Sequence, residues 1–123
     1  MRQCLLALNY MHTQPGKPMV HRDLKPENIL LEHRDSNKYE VKIADFGFSC
    51  VFDPNEKLNL VLGSPLYMAP EIIERKNYNE KVDVWAMGVI TYMLLSGRNP
   101  FPAKKKEDVQ KLICAAKVDM NKP

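Results

Sequence analysis

The stretch His21-Arg22-Asp23-Leu24-Lys25-Pro26-Glu27-Asn28 decides how this chain is read. Two cations, two carboxylates, an amide and a proline stand side by side in it. Apolar runs bracket it, Met19-Val20 before and Ile29-Leu30-Leu31 after, and short apolar runs of this kind read as buried strands. The polar segment between them reads as a loop kept out of the core, where reacting side chains are commonly carried. A second such segment, Asp45-Phe46-Gly47, follows the alternation Val41-Lys42-Ile43-Ala44.

As an ordered set these residues resemble the eukaryotic protein kinase family. Its catalytic loop reads H-R-D-L-x-x-x-N and its metal-binding turn reads D-F-G. The matching positions are His21, Arg22, Asp23, Leu24 and Asn28, then Asp45, Phe46 and Gly47, with Ala69-Pro70-Glu71 completing the order. The resemblance implies an α+β, mainly α fold. It implies a partial kinase domain over residues 1–123, a C-lobe segment with short β-strands around the catalytic loop and one central buried helix.

Roles follow from the resemblance residue by residue. Phosphoryl transfer needs a nucleophile in line, metal ions bridging the phosphates and positive charge near the transferred group. Asp23 is expected to accept or orient the proton of the substrate hydroxyl, and Lys25 to sit beside the transferring phosphate. Asn28 and Asp45 are expected to hold Mg2+, because hard oxygen ligands suit that ion. Lys25, Glu27, Asn28, Leu30 and Asp45 line the ATP side, with Leu30 under the adenine. Gly63, Ser64 and Pro65 face a protein substrate with a Ser or Thr acceptor, Ser64 touching Asp23 and Lys25. Glu27 meets a basic residue of that substrate. Lys25 and Ser64 mark the serine/threonine branch.

His21, Arg22, Phe46, Gly47, Glu71 and Asp83 take structural roles in the same resemblance. His21 packs on Phe46, and Asp83 accepts hydrogen bonds from the backbone around His21 and Arg22. Read one at a time, an Asp in a loop is a turn former and Asp83 a first-turn helix carboxylate. Order and spacing decide against those readings. Arg22 in this family commonly pairs with a phosphorylated residue. Here the stretch from Cys50 to Gly63 holds no Ser, Thr or Tyr, and Leu60 occupies the usual position. No switching by phosphorylation is expected there, with Asp53 or Glu56 balancing Arg22 instead. Such a loop, with Asp83-Val84-Trp85 and the run from Leu94 to Phe101, most resembles the calcium-dependent kinases of the calcium/calmodulin-dependent group. No EF-hand loop accompanies it.

Size and charge limit the alternatives. A chain of 123 residues supports one domain with a core. A net charge of +3 argues for neither nucleic acid nor a membrane surface, and Lys104-Lys105-Lys106 reads as a solvated helix start. Cys4, Cys50 and Cys114 are widely spaced and odd in number, which fits a reducing, intracellular (cytoplasmic) setting rather than a disulfide framework or zinc site. No signal-peptide pattern opens the chain, and the longest uncharged run, Val84 to Leu95, is well short of the ~20 residues a membrane span needs.

The remaining pattern is mostly helical. Met1 to His12 reads as a helix with Met1, Leu5, Leu8 and Met11 on one face, widened by Leu6 and Tyr10; no capping residue precedes it. Thr13 to Pro18 is turn chemistry, longer than the usual family connection. Glu32 to Glu40 reads as a charged, exposed hairpin turn. A short helix is expected over Glu71 to Arg75. Asn79 then caps a helix from Glu80 to Ser96 that is apolar nearly all round and ends at Gly97. Asn99 to Pro102 is a turn, and Glu107 to Lys117 an amphipathic helix turning Val109, Leu112, Ile113 and Ala116 inward.

The family's glycine-rich loop, its V-A-I-K lysine, the partner glutamate of that lysine and its last helices have no counterpart in these residues. A missing N-lobe is thus expected in cis in a full-length protein. Three consequences are expected: Glu71 buried without its arginine, an uncovered apolar patch on the long helix, and little or no phosphate transfer by this chain alone. The alternatives are a catalytically inactive binding module and a non-functional partial gene product.

Overall fold

The helix Lys81–Ser96 contributes buried side chains to each of three apolar clusters of the molecule. The computed structural model describes residues 1–35 and 38–118. The order is α1 (Arg2–Thr13), β1 (Met19–Val20), β2 (Ile29–Asp35), β3 (Lys38–Ile43), β4 (Cys50–Val51), α2 (Pro70–Ile73), α3 (Lys81–Ser96) and α4 (Lys106–Ala115). Helices and two small antiparallel ladders, β1 with β4 and β2 with β3, make a mixed and mainly helical fold. Among the described residues no helix is long and apolar enough to cross a membrane.

Helix α3 supplies side chains to three apolar clusters. Ala86, Met87 and Ile90 pack with Cys4, Leu8 and Leu24; Val82 packs with Val20, Phe52, Ala69, Ile72 and Tyr78; Val89 packs with Phe101 and Ile113. A helix that is apolar on most of its circumference can serve several neighbours at once. Its start is capped as the sequence implies, with the Asn79 side chain accepting from the Lys81 amide. Its end is Gly97 in the left-handed region at φ 67, whose amide donates to the Met93 carbonyl. The cover is incomplete: Val84, Leu94 and Leu95 are exposed, the uncovered patch expected from the sequence.

Several local expectations change. The inward face of α1 is Cys4 and Leu8, while Met1, Leu5, Leu6 and Tyr10 are exposed. Cysteine behaves as a small hydrophobe, and Cys4 takes a core place that the larger side chains were expected to fill. Leu30 and Leu31 are exposed rather than buried, because both faces of the β2–β3 ladder are only partly covered. Most of Glu32 to Glu40 is strand rather than turn, since pairing continues past Glu32–Glu40 to Asp35–Lys38. The expected tip at Ser36 and Asn37 lies outside the described residues. Helix α4 stops at Ala115, and Ala116 is an exposed left-handed cap at φ 48 rather than a core residue. Residues 119–123 also lie outside the described part.

Candidate active site

The loop between β1 and β2 is not the solvated segment that its polarity implies. His21, Asp23, Leu24 and Asn28 are all buried. Buried polar groups must be hydrogen-bonded, and here each one is. Leu24 plugs into the cluster formed by Cys4, Leu8 and Met87 and so pins the middle of the loop to the core. Asp83, 1% exposed, pins its start: Oδ2 accepts from the His21 amide at 2.8 Å and Oδ1 from the Arg22 amide at 2.9 Å. These bonds hold Arg22 at φ 69, a left-handed conformation that a non-glycine residue keeps only when its surroundings impose it.

Two residues bracket the loop to the Ala44-Asp45 turn. The Asp23 amide donates to His21 Nδ1 at 3.3 Å, which leaves the ring proton on Nε2 to donate to the Ala44 carbonyl at 3.1 Å. Asn28 does the same with its amide and backbone: Nδ2 donates to the Asp23 carbonyl at 2.9 Å, and the Asn28 carbonyl accepts from the Ala44 amide at 2.9 Å. The second bond continues the β2–β3 register, in which Ile29 faces Ile43. Strand pairing therefore carries Asn28 to the turn at Asp45. The His21 and Phe46 rings meet with centroids 5.2 Å apart, as the resemblance implies.

Asp23 stands at the centre of the charge arrangement. Lys25 Nζ donates to its Oδ2 at 2.9 Å and the Ser64 amide to its Oδ1 at 2.7 Å; Lys25 Nζ also reaches Ser64 Oγ at 3.3 Å. Burial pushes the Asp23 carboxyl up, but Lys25 and Ser64 outweigh it and hold the group below its ordinary value. The hydrogen bond to Asp23 raises the Lys25 ammonium above its ordinary value against desolvation, and the Asp23, Glu27 and Asp45 charges add to it. Asp23 is the direct partner of Lys25, and the Glu27 and Asp45 charges act on that ammonium through space. Burial raises the Tyr67 hydroxyl, with Glu27 adding and Lys25 opposing, so Tyr67 belongs to this neighbourhood too.

Gly63 makes the approach of Ser64 possible. It sits at φ 109, and a Cβ there would lie 2.4 Å from the Arg22 carbonyl oxygen. Only glycine lets the two backbones come this close. Pro65 then opens a short 3-10 helix, Pro65–Tyr67.

The remaining site residues are placed less tightly. Glu27 and Leu30 are exposed beside the loop, Asp45, Phe46 and Gly47 are exposed, and Asp45 Oδ1 accepts from the Gly47 amide at 3.3 Å. Arg22 pairs with neither Asp53 nor Glu56; its Nε donates to the Phe48 carbonyl at 2.6 Å, and Asp53 instead accepts from Asn55. A short polar link within the turn leaves no reason to reach a solvated carboxylate. Glu71 is half-buried rather than buried. The donor set suits Mg2+ in type: Asp45 and the Asn28 amide oxygen are hard ligands, too few for an all-protein cage. Among the described residues no group of three or more His, Cys, Asp or Glu side chains could hold a metal.

His12 and Tyr78 were missed. His12 Nε2 meets Asp83 Oδ2 at 2.8 Å. Its signal was present, since His12 follows Cys4 and Leu8 at fourfold spacing on the inward face of α1. Tyr78 stands between the two helices expected from the sequence, in a stretch for which no element is expected.

The sequence matches the protein kinase domain family over residues 1–122. It is 45% identical to a probable myosin light chain kinase of Dictyostelium discoideum across 99% of this chain and 30% of that protein. It is 42% identical to calcium/calmodulin-dependent protein kinase type I of Schizosaccharomyces pombe, across 100% of this chain and 36% of that one. Calcium-dependent protein kinase 4 of Plasmodium falciparum is 41% identical across 99% of this chain and 22% of its own length. The chain thus spans between 22% and 36% of these relatives. Asp23 gripped by Lys25 and Ser64, and a family match that runs almost end to end, lead to one conclusion: the chain belongs to the protein kinase family.

Proposed function

We propose that this chain is the catalytic-loop and substrate-binding part, a C-lobe segment over residues 1–123, of a serine/threonine protein kinase that transfers the γ-phosphate of ATP to protein hydroxyls. The observation that carries the proposal is the grip on Asp23 by Lys25 at 2.9 Å and by the Ser64 amide at 2.7 Å. A carboxylate held below its ordinary value is ionised at neutral pH and can orient or accept the proton of an acceptor hydroxyl. Lys25 stays charged beside it and supplies a positive point charge. Ser64 lies between the two and positions the acceptor side chain; Gly63 and Pro65 shape its approach.

Asn28 and Asp45 would hold Mg2+. When bound, the metal neutralises charge on the ATP phosphates. Glu27 and Leu30 lie at the edge where the nucleotide and a basic residue of the substrate would meet the chain. A calcium-dependent type of kinase, and an intracellular setting for the free thiols of Cys4, Cys50 and Cys114, belong to the same proposal.

A second reading, a peptide-docking module without transfer, draws on one contrast. The contacts among Asp23, Lys25 and Ser64 are complete within the chain, while Leu30 and Phe46 on the nucleotide side are exposed. Both readings are tested together by adding a Ser-acceptor peptide with basic flanks and labelled ATP. Binding that shifts the Ser64 amide resonance is expected in both. The kinase reading predicts label on Ser or Thr and none on a Tyr peptide in the complete kinase, lost in Asp23→Asn, with little or none from this chain alone. A peptide that leaves Ser64 unmoved overturns both.

A further inference from the structure

The segment between β4 and Ser64 carries no hydroxyl that could be phosphorylated, and among the described residues Arg22 makes no ion pair to it. It is nevertheless tied down. The Leu58 amide donates to the Tyr78 carbonyl at 2.9 Å, and the Tyr78 amide donates back to the Leu58 carbonyl at 2.8 Å, a single antiparallel bridge. The Tyr78 hydroxyl then reaches two residues further and donates to the Leu60 carbonyl at 2.8 Å. Tyr78 is 3% exposed and packs with Val20, Phe52, Ile72 and Val82, so its ring is fixed by the core next to α3. Val61 and Leu60 are exposed, and their side chains do little to anchor the segment. From Leu60 it is a short step to Gly63 at φ 109 and to the Ser64 amide on Asp23 at 2.7 Å.

We infer that Tyr78 is a positioning residue: it holds the 58–64 segment so that the Ser64 amide meets Asp23, with no phosphate needed. The inference rests on the kinase reading of Asp23 and Ser64 and adds how that site is kept in order. Three uncharged bonds anchored in the core do here what a charged contact to Arg22 would do at the surface. Such an anchor is insensitive to salt, because no exposed ion pair is involved.

Hydrogen exchange of the 123-residue chain tests it without any substrate. Tyr78→Phe keeps the ring in the core and removes only the hydroxyl bond. The Ser64 amide is expected to exchange about tenfold faster, the effect of losing one net hydrogen bond, while the Met87 and Ile90 amides in α3 are unchanged. An unchanged Ser64 amide, or equal acceleration throughout α3, overturns the inference. Gly63→Ala supplies the reverse arm. It pushes Ser64 away from Asp23 without touching Tyr78, and coupling is reciprocal, so the Leu58 and Tyr78 amides must also exchange faster. If they do not, the strut does not reach the site. Peptide titration reports on the kinase reading and exchange on the strut, so the two fail separately.

Discussion

Replacing Asp83 by alanine should remove a large share of this protein's stability, and the reason can be counted on its two oxygens. They accept from the His21 amide at 2.8 Å, the Arg22 amide at 2.9 Å and His12 Nε2 at 2.8 Å. His12 can turn to water, but the backbone donors are enclosed. Each buried donor left without a partner costs about 1–3 kcal/mol, and bonds to a charged acceptor lie at the upper end. Alanine should therefore cost about 3–5 kcal/mol, against a total of about 5–15 kcal/mol for a domain of ordinary stability. For a chain of this length that is a fall in Tm of about 10–20 °C. Asp83→Asn keeps one accepting oxygen and turns a donor toward the second amide, so its loss should be smaller but still above about 1 kcal/mol. Urea denaturation followed by circular dichroism gives the free energies, and exchange at His21 and Arg22 gives the locality. A loss below about 1 kcal/mol for alanine, or equal losses for both variants, refutes the account of Asp83 as the loop's anchor.

Other expectations follow from the same contacts. Because Asp23 titrates below its ordinary 3.8 in the folded state, its contribution to stability is present above that pH and is lost as pH falls through the lowered value. Carbon-detected titration should show Lys25→Met moving Asp23 upward, since burial then acts with less opposition; no movement would contradict the pairing. Gly97→Ala places a side chain in open space at φ 67, so its cost should be the backbone strain alone, about 1 kcal/mol, with the Ser64 resonance unmoved. Leu94→Lys with Leu95→Lys alters side chains that are 70% and 85% exposed; stability should change by less than about 0.5 kcal/mol, and light scattering should show less self-association.

The contacts among Asp23, Lys25 and Ser64 were more legible than the layers around them, for a physical reason. Polar residues such as Asp23, Lys25 and Asn28 stand in an order that the family resemblance reads directly, whatever packs around them. Burial is a property of partners, and the local pattern does not name them. The apolar stripe of α1 is wide enough to face the core in more than one way, and Cys4 rather than Leu5 was chosen by contact with α3. The loop at His21 looked solvated because polarity was read as exposure, whereas its side chains find partners inside, His21 at the Ala44 carbonyl and Asp23 at the Ser64 amide. The reach of β2 past Leu31 was hidden because His33 and Tyr39 pair across strands rather than along one. The pairing of β1 with β4 joins pieces too short to announce themselves.

The Gln3 side chain has a further consequence. Its Oε1 accepts from the Val41 amide at 2.7 Å and its Nε2 donates to the Tyr39 carbonyl at 3.0 Å. One primary amide thereby imitates a residue of a neighbouring chain and closes the open border of β3. An unsealed border of that kind is a template on which foreign polypeptides stack. Gln3, on a helix far along the chain from the hairpin, thus occupies one donor and one acceptor that another strand would otherwise find free.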